Sequence, residues 1–370
     1  MTSDSPDPRG GADPKAGDAA EKRYLILAEA YAHDPHHGKT MRGVVRYRPH
    51  PVVAILDSKS AGETYDGIPI VGTVADALPY RPTTALVGVA VAGGRLPPEW
   101  RDILRSSIEV GLDVEAGMHE YLADDPELAE LARRHGVELH DVRRPPPDLS
   151  VPSGANLTHD ATVVLTVGSD CAIGKKTVAL ELDAEARRRG LRSVFVPTGQ
   201  TGIMIAGWGI AVDAVVADFV AGAAERLVVE GATRGDLLWV EGQGSLVHPQ
   251  FSGVTLGLYH GSVPHALVLC HAAGATEIEG CAGHPLPTLP ELIDLHERIA
   301  LPIRPAKVVA LALNTSLLTV DDARRTLEAA QDETGLLADD PVRFGAERLV
   351  DAVLARLPER ERLEAGIRAK

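Results

Sequence analysis

The sequence predicts an α/β protein of two domains, each with a largely parallel sheet covered by helices, and a phosphate-binding loop in the second domain. Three observations predict this class. Short apolar runs alternate with helical patterns along most of the 370 residues, which is typical of βαβ units. A stiff proline-rich segment, RRPPPD at 143–148, separates two such halves. In the second half, an apolar run ends in a glycine-bounded loop that precedes a helix.

The first half contains the apolar runs and helical patterns of one complete domain. Strands buried on both faces of a parallel sheet read as continuous apolar segments. The predicted strands are 24–30, 52–57, 67–72, 84–93, 112–115 and 137–142. Helical patterns cover 97–111 and 126–135. We therefore predict a first domain over 23–148, preceded by a disordered polar tail over 1–22.

The second half repeats this alternation and is predicted to form a domain over 149–370. Its predicted strands are 162–167, 193–199, 236–242, 265–271 and 307–314, with helices between or after them. In open parallel sheets, ligands bind at the carboxyl ends of the strands, where the loops gather. Polar residues that follow these strands are therefore the first candidates for a functional site.

The loop GSDCAIGKKT follows the first of these strands directly. Gly168 and Gly174 allow backbone angles that residues with a Cβ resist, so successive N–H groups can turn toward an anion. The next helix contributes its positive N-terminal end, and Lys175 contributes a mobile charge. The alternative is a glycine-rich turn that only packs a strand against a helix. The residues expected to bind a phosphate-bearing cofactor are Gly168, Ser169, Asp170, Cys171, Ala172, Ile173, Gly174, Lys175, Lys176 and Thr177.

Two features of the loop differ from the common phosphate-binding pattern. Five residues separate its two glycines, and Asp170 lies among them. This spacing resembles the G-x-D-x-x-x-G-K-T loop of dethiobiotin synthetase and its relatives, which activate a substrate carboxylate with ATP. Lys176 stands where those enzymes have a hydroxyl residue that binds magnesium, and Thr177 comes one residue later, about 100° around the helix. Phosphate binding is therefore a stronger prediction than ATP chemistry.

The resemblance to dethiobiotin synthetase implies further residues. Asn314, at the end of the last predicted strand, lies where such folds contact the adenine ring, so we include it among the cofactor-binding residues. If ATP with magnesium is used, Thr177 and Glu241 are the predicted metal ligands.

Two polar turns follow the next two predicted strands after the loop. PTGQTG provides Thr198, Gln200 and Thr201, and EGQGS provides Gln243 and Ser245. Glycines allow close backbone approach, and neutral hydrogen-bonding side chains suit a phosphate or a carboxylate. We predict that these residues bind the substrate; the alternative is that the turns serve geometry alone.

Titratable side chains near these turns are the catalytic candidates. Glu241 ends a predicted strand, where an acid often acts as a base; the alternative is an ordinary hydrogen-bonded strand end. His248 follows closely and is suited to transferring a proton. With Lys175, these residues form the predicted catalytic set. Structural hydrogen bonds are expected instead for His260, His265 and His271.

Composition narrows the classes of partner. A net charge of −15 opposes nonspecific binding to nucleic acid or to an anionic membrane, because phosphates would repel the chain. No apolar run approaches the roughly 18 residues of a membrane span, and the first residues do not resemble a signal peptide. The three cysteines provide no disulfide framework, which indicates a reducing cytoplasm. We expect a cytoplasmic enzyme that forms a homo-oligomer and acts on a small molecule.

Longer motifs carry a family resemblance. The segments RYLILAEAY, GSDCAIGKKT, PTGQTGIMI and WVEGQGSLVHPQFSGVTLGLYHGSVPHALVL resemble those of the DgcN-like family, and the resemblance covers most of residues 23–350. It implies an N-terminal Rossmann-like domain followed by a P-loop parallel-sheet domain. The activity that it implies is transfer of an acetyl group from acetyl-CoA to the amine of D-glutamate or a similar amino acid.

This implied activity agrees with the departures of the loop. Coenzyme A carries a 3′-phospho-ADP group, so a phosphate-binding loop with a poor magnesium site suits acetyl-CoA as the cofactor. Glu241 or His248 would then take the proton of the acceptor amine. The alternatives are an ATP- and magnesium-dependent ligase or kinase and a noncatalytic nucleotide sensor. The segment 270–287 departs from the regular loop expected after its strand, which leaves the identity of the acceptor open.

Overall fold

The structure is a computed structural model that describes residues 22–34, 37–90, 94, 97–357 and 363. The tail predicted over 1–22 lies, apart from Lys22, outside the described residues. The chain divides into two compact units. The first comprises residues up to Arg144 together with Ile203–Trp208, and the second comprises Pro145–Gly202 together with the chain from Gly209 onward.

A seven-stranded sheet forms the centre of the first unit, in the order β3-β4-β2-β1-β5-β6-β7. The strands are β1 (Tyr24–Leu27), β2 (Val52–Leu56), β3 (Thr64–Tyr65), β4 (Ile68–Val71), β5 (Thr84–Val87), β6 (Asp113–Ala116) and β7 (Leu139–Asp141). The helices are α1 (Lys39–Tyr47), α2 (Val74–Ala77), α3 (Trp100–Glu109) and α4 (Pro126–His135). Only the short pair of β3 with β4 is antiparallel among these strands.

Two predicted strands of this unit were too long. The strand predicted over 24–30 ends at Leu27, and the strand predicted over 84–93 ends at Val87, with residues 91–93 outside the described part. Ala28 and Val89 are nevertheless buried. A buried loop is as apolar as a buried strand, so composition alone does not locate the last residue of the ladder.

A six-stranded sheet, parallel throughout, forms the centre of the second unit in the order β13-β12-β11-β8-β10-β9. The strands are β8 (Thr162–Gly168), β9 (Ser193–Val196), β10 (Leu237–Val240), β11 (Ala266–Ala272), β12 (Lys307–Asn314) and β13 (Leu337–Asp339). The helices are α5 (Lys175–Arg188), α7 (Val220–Arg234), α8 (Ser252–Ser262), α9 (Leu289–Arg298), α10 (Val320–Thr334) and α11 (Glu347–Arg356). The helix α6 (Gln200–Ala206) begins in this unit, and its residues from Ile203 onward belong to the first unit.

Local capping residues explain where several helices begin. Asp125 accepts hydrogen bonds from the amides of Glu127 and Leu128 at the start of α4. Thr288 and Glu291 form a reciprocal capping box at the start of α9. None of the helices in the described ranges combines the length and the apolar character that crossing a membrane requires.

The register of the second sheet places the loops that carry the candidate residues side by side, at the carboxyl ends of the strands. Strand β8 lies between β11 and β10, and Cys270 of β11 pairs with Gly168 at the end of β8. On the other side of β8, Val240 of β10 pairs with Leu165, so the EGQGS turn begins beside the last residues of β8. The predicted α/β class with parallel sheets is confirmed.

Candidate active site

The loop between β8 and α5 has the backbone of an anion-binding turn. Gly174 adopts φ 117°, which a residue with a Cβ resists, and Ala172 also has a positive φ of 54°. Gly174 caps α5 without a side-chain hydrogen bond, so the first-turn amides of α5 point toward the space above the loop. This geometry is what the glycine spacing predicts.

Asp170 braces the loop. Its Oδ1 accepts a hydrogen bond from the Cys171 amide at 2.6 Å, and its Oδ2 accepts one from the Glu279 amide at 2.7 Å. The carboxylate is buried and therefore depends on these donors. Asp170 ties the loop to the segment after β11, and its remaining capacity to accept is what a cofactor or cation would use.

Lys175 is buried at the first position of α5, with 6% of its surface exposed. Its Nζ donates to the carbonyl oxygen of Asp170 at 2.5 Å, and burial lowers the pKa of the ammonium. An ammonium has three N–H donors, so this bond holds Lys175 over the loop while leaving donors for an anion.

Ser169 connects the loop to β11. Its hydroxyl lies 2.9 Å from Nδ1 of His271, and its carbonyl oxygen accepts a hydrogen bond from the Ser245 hydroxyl at 3.1 Å. Burial lowers the pKa of His271, which keeps the imidazole neutral. The predicted structural role of His271 is thus confirmed, and its partner is a loop residue; Ser245 also supports the loop directly.

His260 and His265, for which structural hydrogen bonds were also expected, make such bonds. His260 Nε2 lies 2.8 Å from the carbonyl oxygen of Ile299, and Nδ1 of His265 accepts from the Val163 amide at 2.9 Å. Both side chains are partly buried, and these contacts join them to backbone segments distant in the sequence.

Glu241 is a buried carboxylate at the start of the EGQGS turn, and it contacts the PTGQTG turn. Its Oε2 accepts hydrogen bonds from the amides of Thr198 at 2.9 Å and Gly199 at 3.1 Å. Burial raises its pKa to about 7, although Lys176 and the two amides act in the opposite direction. Within the described residues its Oε1 makes no hydrogen bond, so that oxygen is available to a proton. A base with a pKa near neutrality is the ordinary requirement of proton transfer.

Close packing around Glu241 explains one glycine of the PTGQTG turn. A Cβ built on Gly202 would lie 2.3 Å from Oε2 of Glu241. The contact is with a side chain that two amides hold in place, so a larger residue would displace the carboxylate.

Apart from Ser245, which supports the loop, the predicted substrate residues divide into two groups. Thr198 and Gln243 lie together with Glu241: the Thr198 hydroxyl donates to the Glu241 carbonyl at 2.6 Å and accepts from Gln243 Nε2 at 3.1 Å. Gln200 and Thr201 begin α6, with Gln200 half-buried and Thr201 buried. Their roles in binding stay predictions.

His248 lies on the other side of the loop from Glu241's partners. Its Nε2 lies 3.2 Å from the Glu279 carbonyl, and its Nδ1 accepts from the Gln250 amide at 3.2 Å. Both ring nitrogens are therefore engaged, which leaves Glu241 as the better placed base. A catalytic role for His248 stays a prediction.

Asp170, Cys171 and His248 together provide three donor atoms that lie within 4.8 Å of one another. These are the described residues most suited to hold a metal ion; Asp170 and Cys171 are adjacent in the sequence, and His248 is distant from both. The carboxylate oxygens of Asp170 and the ring nitrogens of His248 already form hydrogen bonds with the backbone. A cation would have to replace those bonds.

A cavity of about 450 Å³ adjoins the loop on the side of β12 and β13. Its lining includes Gly174 and Thr177 from the loop and α5, and Asn314 at the end of β12. Two further lining residues, Asp340 and Arg343, were not predicted. They follow a three-residue edge strand, which is too short to show a recognisable pattern in the sequence.

The sheet order places this cavity and Glu241 on opposite sides of β8. The cavity adjoins β12 and β13, whereas Glu241 follows β10 and contacts the turn after β9. Thr177 lines the cavity, and the cations that interact electrostatically with Glu241 include Lys176 and Lys175. This arrangement does not favour Thr177 and Glu241 as a shared magnesium site, and that pair stays a prediction.

Comparison with known proteins gives concordant matches to both halves. Residues 150–350 match "Domain of unknown function (DUF1611_C) P-loop domain", and residues 37–145 match "Domain of unknown function (DUF1611_N) Rossmann-like domain". A D-glutamate N-acetyltransferase of Tritonibacter scottomollicae is 38% identical over 342 residues, which cover 90% of this chain and 99% of that protein. A D-glutamate N-acetyltransferase of a Pseudoalteromonas species is 36% identical over 287 residues, 77% and 84% of the two chains.

A solved structure is similar as well. The crystal structure of a DUF1611 family protein from Anabaena variabilis matches with a TM-score of 0.85 and 41% sequence identity, covering 90% of this chain and 99% of that one. At that identity and coverage the two chains share both domains.

Proposed function

The chain belongs to the DUF1611 family, and from this premise we propose that it transfers an acetyl group from acetyl-CoA to the amine of a small amino acid similar to D-glutamate. Family membership confirms the resemblance that the sequence motifs indicate, and with it the Rossmann-like and P-loop domains. The protein is accordingly an enzyme of the N-acetyltransferase type. The donor, the acceptor, self-association and a cytoplasmic location stay predictions.

The observation that carries the proposal is Glu241. An amino acid is protonated on its amine at neutral pH, and the nitrogen attacks a thioester only after that proton leaves. Glu241 has a pKa of about 7 and an Oε1 without a hydrogen bond in the described part of the chain. The amides of Thr198 and Gly199 hold the carboxylate in one orientation, so Oε1 is positioned to accept the proton.

The phosphate loop and its cavity suit acetyl-CoA. The loop amides and Lys175 would bind the diphosphate, and the cavity at Gly174 and Asn314 would receive the nucleoside. Bound acetyl-CoA would supply the thioester whose acetyl group is transferred. The amides of Thr198 and Gly199 are bound to Glu241, so amides of the phosphate loop are the better candidates for stabilising the oxyanion that forms on the thioester carbonyl.

The competing hypothesis is an ATP- and magnesium-dependent ligase or kinase. The Asp170 spacing of the loop favours it. The positions of Lys176 near Glu241 and of Thr177 in the cavity disfavour it, because no paired magnesium ligands result.

A direct assay decides between the two hypotheses. The purified chain is incubated with acetyl-CoA and D-glutamate, L-glutamate or other small amino acids, and mass spectrometry identifies the product while a thiol reagent follows released CoA. We expect N-acetyl amino acid and free CoA in equal amounts, with no requirement for ATP. Product that forms only with ATP and magnesium would reject the acetyl-transfer proposal.

Cys171 should not carry the acetyl group. Burial raises its pKa to about 11, so only about one thiol in 10⁴ is ionised at neutral pH. We expect Cys171→Ala to keep kcat within about threefold of wild type, because direct transfer needs no thiolate. The check is to quench the reaction with labelled acetyl-CoA and to look for label bound to the enzyme. Cys281→Ala is the matched control for Cys171→Ala. Acetylated Cys171 in the quenched enzyme would show a two-step route instead.

A further inference from the structure

The cavity beside the loop has the character of a nucleoside site. Its lining includes Gly174 and Thr177, Asn314 at the end of β12, and Arg343 in the segment after β13. Ile173 and Val342 add apolar surface, and Val342 remains 47% exposed. A concave, largely apolar space with a few polar groups is what a base and ribose require.

Asp340, the acid of this cavity, is fully engaged by the protein. Its Oδ2 accepts from the Thr315 amide at 3.0 Å and from the Thr315 hydroxyl at 2.6 Å. Its Oδ1 accepts from the amides of Val342 at 3.0 Å and Arg343 at 3.1 Å. The buried carboxylate thus fixes the segment after β13 against the end of β12, and it makes no ion pair with the Arg343 guanidinium.

The Arg343 guanidinium keeps most of its hydrogen-bonding capacity. Its Nη1 donates to the Leu318 carbonyl at 3.0 Å, and no ion pair of Arg343 exists among the residues that the structure describes. Arg348, close by in sequence, is by contrast paired with Asp339 at 3.0 Å. A half-buried guanidinium without a counter-charge, in a chain of net charge −15, favours an anionic ligand at this position.

We propose that Arg343 binds a phosphate on the ribose of the nucleotide donor, and so makes the enzyme specific for a 3′-phosphorylated nucleotide such as coenzyme A. This inference rests on the proposed function. The loop and Lys175 account for the diphosphate, and the cavity accounts for the nucleoside, which leaves the ribose phosphate as the anion for Arg343. ATP has no phosphate there. The planar fork of a guanidinium matches a phosphate with two parallel hydrogen bonds.

The test compares CoA with 3′-dephospho-CoA by calorimetric titration of the full chain, in parallel with steady-state kinetics using the two acetylated forms. Wild type should bind CoA about 10- to 100-fold more tightly than 3′-dephospho-CoA. Arg343→Gln should lose that factor for CoA while its affinity for 3′-dephospho-CoA stays within about threefold. The kinetic effect of this substitution should be a rise in KM for acetyl-CoA, because the lost contact is one made to the nucleotide. Arg343→Lys should restore part of the preference, and Arg348→Gln, whose side chain lies outside the cavity lining, should keep all of it.

The possible outcomes separate this inference from the proposed function. Equal affinity of wild type for the two ligands, or a preference that persists in Arg343→Gln, would overturn the role of Arg343 even if acetyl transfer proceeds. Preferential CoA binding that depends on Arg343, without acetyl transfer to any amine, would support this role and reject the proposed reaction. Failure of wild type to bind either ligand would reject both.

Discussion

Substitution of Lys175 by alanine should abolish most acetyl transfer, lowering kcat/KM by about 10²- to 10³-fold. The ammonium is buried at the N-terminus of α5 and donates to the carbonyl of Asp170, so it is held where the loop amides converge. A buried donor contributes more to binding an anion than an exposed one, because little water competes with it. Calorimetric titration with acetyl-CoA should show the same loss as an increase in Kd.

The variant must be shown to fold before this result is interpreted. Burial lowers the pKa of Lys175, which means that the charged side chain is destabilised in its site. Lys175→Ala and Lys175→Met should therefore keep the melting temperature of wild type or raise it. Lys307→Ala, which removes an exposed lysine paired with Glu297, is the control and should leave kcat/KM unchanged. Unaltered acetyl-CoA binding in folded Lys175→Ala would contradict the assignment of the loop.

Substitution of Glu241 by glutamine should lower kcat by about 10²- to 10⁴-fold, the usual contribution of a general base. The amide oxygen of glutamine can still accept from Thr198 and Gly199, so the geometry is retained while the basic oxygen is lost. In wild type, kcat/KM should rise with pH and level off above about 7, because only the deprotonated carboxylate accepts a proton. This rise should be absent from the pH profile of the variant.

The stability of the folded protein should also depend on the protonation of Glu241. It should fall as pH rises, whereas kcat/KM should increase. The pKa of Glu241 is raised from 4.5 to about 7 on folding, so the folded state holds the proton more tightly than the unfolded state. The stabilisation from this proton is complete below pH 4.5 and is lost as pH rises through 7. Glu241→Gln should therefore be more stable than wild type at pH 8, by about 2–3 kcal/mol in chemical unfolding.

Glu225 provides a matched control for both measurements. It is also a buried glutamate of the second unit, but its pKa is lowered, because hydrogen bonds from Ser153 and Gly154 outweigh the effect of burial. Glu225→Gln should lose stability at pH 8 and keep the wild-type pH profile of kcat/KM. If Glu241→Gln also kept that profile, a base other than Glu241 would be required.

Much of the second sheet was predictable because its signals are local. The strand β8, the loop and α5 follow one another directly, and periodicity together with the two glycines indicates each of them. The strand β13 was not predicted, since Leu337–Asp339 has only three residues and lies at the sheet edge. The strands β1 and β5 were predicted too long because the loops that follow them are buried and equally apolar.

The candidate site was predictable to the extent that it follows from strand ends. Glu241 and Thr198 meet because parallel strands β9 and β10 are neighbours, as expected of a parallel sheet. The contact of Ser169 with His271 joins residues 102 positions apart, and Arg343 reaches Leu318 across 25 positions. Sequence periodicity carries no information about such pairs, so neither contact was predicted.

The sequence by itself therefore determined the two-domain α/β plan, the family, the phosphate loop and the residues from which a base would be drawn. Only the tertiary structure decided which of those residues have the required properties. Burial raises the pKa of Glu241 and two backbone amides orient it. Asp340 is satisfied by hydrogen bonds from its neighbours, and Arg343 has no ion-pair partner within the part of the chain that the structure describes. These properties depend on the solvent exposure and the partners that each side chain acquires when distant segments pack together, and a linear pattern of residues does not encode them.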